Sequence, residues 1–172
     1  NILQGLRAAI DFQRGLSLSF QPVLDLASDS VLGVETFVRW RDDKGQLLAP
    51  ARFIPLAEQA GLIGELAQWV MDTALRQFSV WQQTWAKTAY LSVNVSAVQF
   101  RDEHMSERML EMFGRHGVLP SSVVLELNQA VCREDRVLVL DQLQRLRTAG
   151  VRIAFDDFGG DGFSLRQLGD LP

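Results

Sequence analysis

Three apolar runs in this chain each carry a polar residue that a buried strand rarely tolerates, and they recur at a fixed interval. Asn94 lies in Tyr90-Leu91-Ser92-Val93-Asn94-Val95-Ser96, and Glu126 follows 32 residues later in Val123-Val124-Leu125-Glu126-Leu127. Asp156 comes 30 residues after that, at the end of Val151-Arg152-Ile153-Ala154-Phe155-Asp156-Asp157. Such an interval is one strand–helix–strand unit. Strands alternating with helices predict an α/β fold with mostly parallel pairing. An eight-fold barrel at this period takes about 240 residues. The 172 residues present suit a smaller open sheet or the front two-thirds of a barrel.

The flanking sequence supplies the remaining elements. Residues 1–15 read as a lead-in helix ending at Gly15. Leu16-Ser17-Leu18-Ser19-Phe20 alternates with the period of a half-buried strand, which Pro22 should limit. Val31 to Trp40 forms a second strand, followed by a polar turn at Asp42-Asp43-Lys44-Gly45. A short helix over Phe53–Ala60 stops at Gly61, and a longer one over Leu62–Trp85 turns Leu66, Trp69, Val70, Ala74 and Phe78 to one face. Helices over Glu103–Arg115 and Asp135–Ala149 separate the last three strands, the second with Leu138, Leu143 and Leu146 inward and Gly150 as its C-cap. One domain over residues 1–172 is expected, without repeats or a linker.

Composition narrows the chemistry. At 47% hydrophobic and 22% charged residues the chain is ordinary for a globular fold. A net charge of −4 with no basic run argues against a nucleic-acid binder that relies on a basic stripe. The single cysteine, Cys132, rules out an intramolecular disulfide and a Cys-rich zinc site. The two histidines, His104 and His116, stand too far apart for a short-spaced metal motif. No apolar run is long enough to span a membrane and no signal peptide is visible, so this segment is expected to be cytoplasmic, with no membrane contact of its own. An anchor elsewhere in a longer parent protein is compatible with this.

Any metal must therefore be bound through oxygen. Glu35, Asn94, Glu126 and Asp156 sit in or at the ends of four strands, where α/β folds assemble their sites. Buried carboxylates need a partner or a metal, and this set suits Mg²⁺, Mn²⁺ or Ca²⁺. Spacing leaves two chemistries open: activation of water against a phosphoryl group, or stabilisation of an enediolate after proton abstraction.

Several short motifs occur in order along the chain. They are Gln21-Pro22-Val23, Gly33-Val34-Glu35-Thr36-Phe37-Val38-Arg39-Trp40, Phe53-Ile54-Pro55-Leu56-Ala57-Glu58 and Gly61-Leu62-Ile63. Trp69-Val70, Val93-Asn94-Val95-Ser96, Leu125-Glu126-Leu127 and Asp156-Asp157-Phe158-Gly159 follow. Together, from about Leu16 onward, they resemble the EAL-domain family. That resemblance implies a TIM-barrel-like fold, here with about five of the barrel strands, and hydrolysis of cyclic di-GMP to linear pGpG with two Mg²⁺ or Mn²⁺ ions. It further implies that Glu35, Asn94, Glu126 and Asp156 are metal ligands and that Asp157 serves catalysis toward the second metal. Gln21 and Arg39 match positions that contact the bound dinucleotide, and a homodimer is a further expected partner. Family members that have lost catalysis act as cyclic di-GMP receptors or as signalling and protein-interaction modules, a second reading for this chain.

The chain departs from the family pattern at identifiable places. The name motif reads Glu35-Thr36-Phe37 instead of Glu-Ala-Leu, and Leu-Glu-Ile-Thr-Glu reads Leu125-Glu126-Leu127-Asn128-Gln129. By resemblance, the acid replaced by Gln129 anchors the loop after the paired aspartates, here Gly159-Gly160-Asp161-Gly162-Phe163-Ser164. The family's catalytic Lys and a later acidic ligand map beyond Pro172, so the 172-residue segment is expected to be C-terminally truncated and inactive by itself. Cys132, His104 and His116 read as loop or surface residues. Trp69, Trp81 and Trp85 read as packing, whereas Trp40 suits either the core or the rim of a cleft.

Overall fold

Alternating apolar and polar residues let two long strands, β1 (Leu16–Leu24) and β2 (Val31–Arg41), form an antiparallel hairpin in the computed structural model, which describes residues 2–85 and 87–156. A two-residue strand, β3 (Leu47–Leu48), folds back on β2. β2, β4 (Tyr90–Val95), β5 (Val123–Leu127) and β6 (Arg152–Phe155) are then parallel neighbours, in the order β1-β2-β4-β5-β6. The chain crosses between the parallel strands through α2 (Pro50–Gln59) and α3 (Ile63–Gln82), then α4 (Met105–His116), then α5 (Arg136–Thr148). Among the described residues five strands lie on the main path, as expected. β3 is an addition too short to show periodicity.

The sheet has two unlike faces because side chains alternate along each strand. One face carries Val34, Leu91, Val93, Val95, Val123, Leu125 and Leu127, all buried against Met71, Leu75 and Phe78 of α3, Met109 and Phe113 of α4, and Leu143 and Leu146 of α5. The other face carries Gln21, Glu35, Asn94 and Glu126, related by strand register. Gly33 begins this polar face: a Cβ there would stand 2.6 Å from the Tyr90 ring, so only glycine lets that ring lie across β2. Arg152 in turn stacks on Tyr90 at 4.7 Å. These groups close the N-terminal end of the polar face and leave its carboxylates to the other end.

A second core holds the lead-in helix α1 (Ile2–Phe12) in place. Leu6 and Ile10 of α1 pack with Trp40, Leu48, Phe53, Ala57 and Leu66. Trp40 meets Phe53 edge-on at 5.6 Å and is 2% exposed, so it belongs to this core and not to a cleft rim. Gly15 marks the chain's turn into β1, with φ +76° and its would-be Cβ 2.3 Å from the carbonyl oxygen of Arg41. The helix stops three residues earlier, at Phe12.

The structure corrects other local expectations. Pro22 lies inside β1, opposite Val34; among the described residues β1 is at one end of the sheet, where a proline costs no ladder bond on the side away from β2. Trp81 packs on the Phe20 ring at 4.8 Å, whereas Trp85, just past α3, is half exposed. In α5, Val139 and Gln142 are buried with Leu143 and Leu146, while Leu138 is only half-buried, a shift of one position around the helix. His104 is an exposed surface residue and Cys132 is exposed on a 3-10 turn, as expected. His116 is not a free surface residue: its Nε2 lies 2.8 Å from Asp72 Oδ1, joining α4 to α3. Among the described residues, no helix is long and apolar enough to cross a membrane.

Candidate active site

Glu35, Asn94 and Glu126 come from three adjacent parallel strands. Asn94 and Glu126 are direct register partners across β4 and β5, and Glu35 pairs with Ser92, two residues before Asn94. The Asn94 amide Nδ2 donates to Glu35 Oε1 at 3.4 Å. Asp156 follows β6 directly, its backbone N–H donating to the carbonyl of Leu127 at 2.8 Å. Burial, then repulsion from Glu126 and more weakly from Asp156, hold the Glu35 carboxyl above its ordinary pKa, against the opposing amide of Asn94. The structure thus brings these four sequence-predicted groups to one end of the sheet. Asp157 lies outside the described residues.

The other two predicted positions stand on the β1–β2 hairpin. Gln21 is exposed and opposes Glu35 across the hairpin. Arg39 is four residues beyond Glu35 on β2, about 13 Å along an extended strand, and its guanidinium lies 5.5 Å from the Phe37 ring centroid. A cavity of about 540 Å³ adjoins this end of the sheet, within the range of small-ligand sites. Asn94, Ser96, Glu126, Asn128 and Asp156 form its polar side, and Ile54, Pro55, Leu66 and Val70 contribute an apolar wall. Thr36, at the family's alanine position, also lines it. Its hydroxyl is buried with no hydrogen-bond partner among the described residues.

Sequence reasoning missed two serines that bond carboxylates at this end of the sheet. The Ser92 hydroxyl, 1% exposed, donates to Glu126 Oε1. Ser96 Oγ donates to Glu58 Oε1 of α2 at 2.6 Å, and the Ser96 backbone N–H donates to Gln99 Oε1 at 2.9 Å. Ser96 also caps the 3-10 turn Ala97–Arg101 that follows the strand. The signal available beforehand was the period-two spacing of Ser92, Asn94 and Ser96.

The donor set fits a hard divalent cation. Carboxylate and amide oxygens are the ligands Mg²⁺ and Mn²⁺ select, and a cation would relieve the carboxylate repulsion on Glu35. Among the described residues, no three His, Cys, Asp or Glu side chains form a metal-holding group on their own.

Comparison with known proteins identifies the family. The EAL domain family matches residues 4–172. The chain is 34% identical over 171 residues to the bifunctional diguanylate cyclase/cyclic di-GMP phosphodiesterase MucR of Pseudomonas aeruginosa, covering 99% of this chain and 25% of that protein. It is 33% identical to the cyclic di-GMP phosphodiesterase PA2567 of the same species, covering 99% of this chain and 29% of that protein. The chain thus spans between a quarter and a third of the length of these relatives. Among solved structures, the PaMucR phosphodiesterase in complex with c-di-GMP superposes with a TM-score of 0.90 at 34% identity, covering 99% of this chain and 69% of that one. A polar strand-end site on an incomplete TIM-barrel-like sheet, matched from residue 4 to residue 172, places this chain in the EAL domain family.

Proposed function

We propose that this chain is one EAL-like unit over residues 1–172, belonging to a phosphodiesterase that hydrolyses cyclic di-GMP to pGpG. The observation that carries the reading is the contact of Asn94 with Glu35 beside the Asn94–Glu126 register pair, at the end of the sheet where the cavity lies. Glu35, Asn94, Glu126 and Asp156 would hold Mg²⁺ or Mn²⁺, with Asp157 toward a second ion. When bound, such a pair supplies an activated water and charge neutralisation at the phosphodiester.

The chain's own groups do the rest. Gln21 offers an exposed amide beside Glu35, and Arg39 offers a guanidinium suited to phosphate oxygens. The apolar wall of Ile54, Pro55 and Val70 excludes water from one side of the cavity. Hydrolysis adds water at one phosphorus and breaks that phosphorus–O3′ bond, leaving a 5′-phosphate on the linear product.

A second reading, a cyclic di-GMP receptor without turnover, is favoured by one observation: Gln129 stands at the family's anchoring acid. One experiment separates the two. The full-length parent is incubated with cyclic di-GMP and Mg²⁺ or Mn²⁺, and pGpG is followed alongside ligand binding. Product at about 1 s⁻¹ or faster supports the enzyme. Binding without product supports the receptor, and neither binding nor product overturns both.

A further inference from the structure

Three alternate residues, two in β4 and one just after it, each engage a carboxylate from a different element. Ser92 donates to Glu126 of β5, Asn94 to Glu35 of β2, and Ser96 to Glu58 of α2. The outer two members of this ladder are serines, which are not themselves strong metal ligands. Ser92 occupies the least accessible place, 1% exposed, and is the register partner of both Glu35 on one side and Val124 on the other.

From this placement we infer that Ser92 is a positioning residue for Glu126, fixing Oε1 so that Oε2 is left to ligate a cation. The inference deepens the metal-dependent reading above and rests on it. A glutamate on a strand has three side-chain torsions, and its carboxylate reaches one orientation only if something holds it. Here the hydroxyl of Ser92 holds one oxygen and so directs the other. The bond spans 34 residues of sequence but only neighbouring strands, so it forms whenever β4 and β5 pair in register. Groups that orient ligands in this way typically change metal affinity by about 10- to 100-fold when removed.

A serine-to-alanine change removes one oxygen from a strand interior and alters no backbone preference of consequence. A merely structural serine would therefore shift thermal stability and leave metal affinity alone. A positioning serine shifts metal affinity and leaves turnover at saturating metal nearly unchanged. A threonine retains the hydroxyl, and a cysteine has nearly the same shape with a much weaker donor.

The test uses the full-length parent protein. Mn²⁺ affinity is measured by calorimetry for the wild type and for Ser92→Ala, Ser92→Cys, Ser92→Thr and Glu126→Gln, beside Tm and pGpG formation across a Mn²⁺ titration. The expected result is an affinity weakened about 10- to 100-fold in Ser92→Ala, less so in Ser92→Cys, and restored in Ser92→Thr. Activity should recover at high Mn²⁺. If Glu126→Gln weakens Mn²⁺ binding while Ser92→Ala, or Ser92→Cys where the alanine variant does not fold, binds like wild type, the assignment of Ser92 is overturned and the metal site stands. If the wild type binds no Mn²⁺, the metal-dependent reading fails and this inference falls with it.

Discussion

Asn94 and Glu35 stand 59 residues apart in the chain, yet the amide of one donates to the carboxylate of the other at 3.4 Å on neighbouring parallel strands. The contact depends on β2 and β4 pairing with Glu35 beside Ser92. A one-residue slip would send Asn94 to the opposite face, among the buried valines. The site and the strand register are therefore one property.

Neutralising either proposed ligand should expose this dependence. Glu35→Gln and Glu126→Gln keep the shape of each side chain and remove its charge. Each should lower Mn²⁺ affinity by more than about 100-fold, beyond the usual effect of an orienting group, with Tm held or raised because like-charge repulsion at Glu35 is relieved. Calorimetry with Mn²⁺ and a thermal melt in metal-free buffer would check both halves.

Gln129 is the next place to intervene. A neutral amide makes bonds roughly half as strong as those of a carboxylate to the same donors. Gln129→Glu in the full-length parent should raise pGpG formation, chiefly in kcat. An unchanged rate would remove the argument that this position limits turnover.

Asp72 sets an acid limit on stability. The hydrogen bond from His116 is the largest cause that lowers its pKa, with Arg76 at 2.8 Å adding to it. The folded-state pKa lies below the ordinary 3.8, so the folded state favours the ionised form. The resulting stabilisation is complete above the unfolded value and is lost as pH falls through the lowered folded one. Asp72→Asn should reduce Tm near neutrality by no more than about 4 °C, given the exposure of the group, and flatten the fall in Tm below pH 4. Melts from pH 7 to pH 3 would show it.

The second core can be tested separately from the site. Phe53 is fully buried and packs edge-on against Trp40, joining α1, α2 and the end of β2. Phe53→Ala should cost about 3–5 kcal/mol, read from the urea midpoint at constant slope. A loss below about 1 kcal/mol would mean that α1 and α2 stabilise the sheet little.

Local physics made much of this protein legible in its sequence. Apolar periodicity reports which residues a strand or helix turns inward, so the five main strands and the helices between them could be read from residue order. The polar residues in apolar runs also stood out locally, although the fold leaves Asn94 and Asp156 exposed and Glu35 and Glu126 only part-buried. That reasoning located Glu35, Asn94, Glu126 and Asp156 before any fold was drawn. It could not locate the side-chain contacts made across the fold. Ser92 reaches Glu126, Ser96 reaches Glu58 and His116 reaches Asp72 across 34, 38 and 44 residues. Pro22 sits in a strand that, among the described residues, pairs on one side only. Each of these pairings follows from which strands and helices become neighbours and in what register. Burial and hydrogen bonding over the whole sheet decide that together, and no window of adjacent residues contains it.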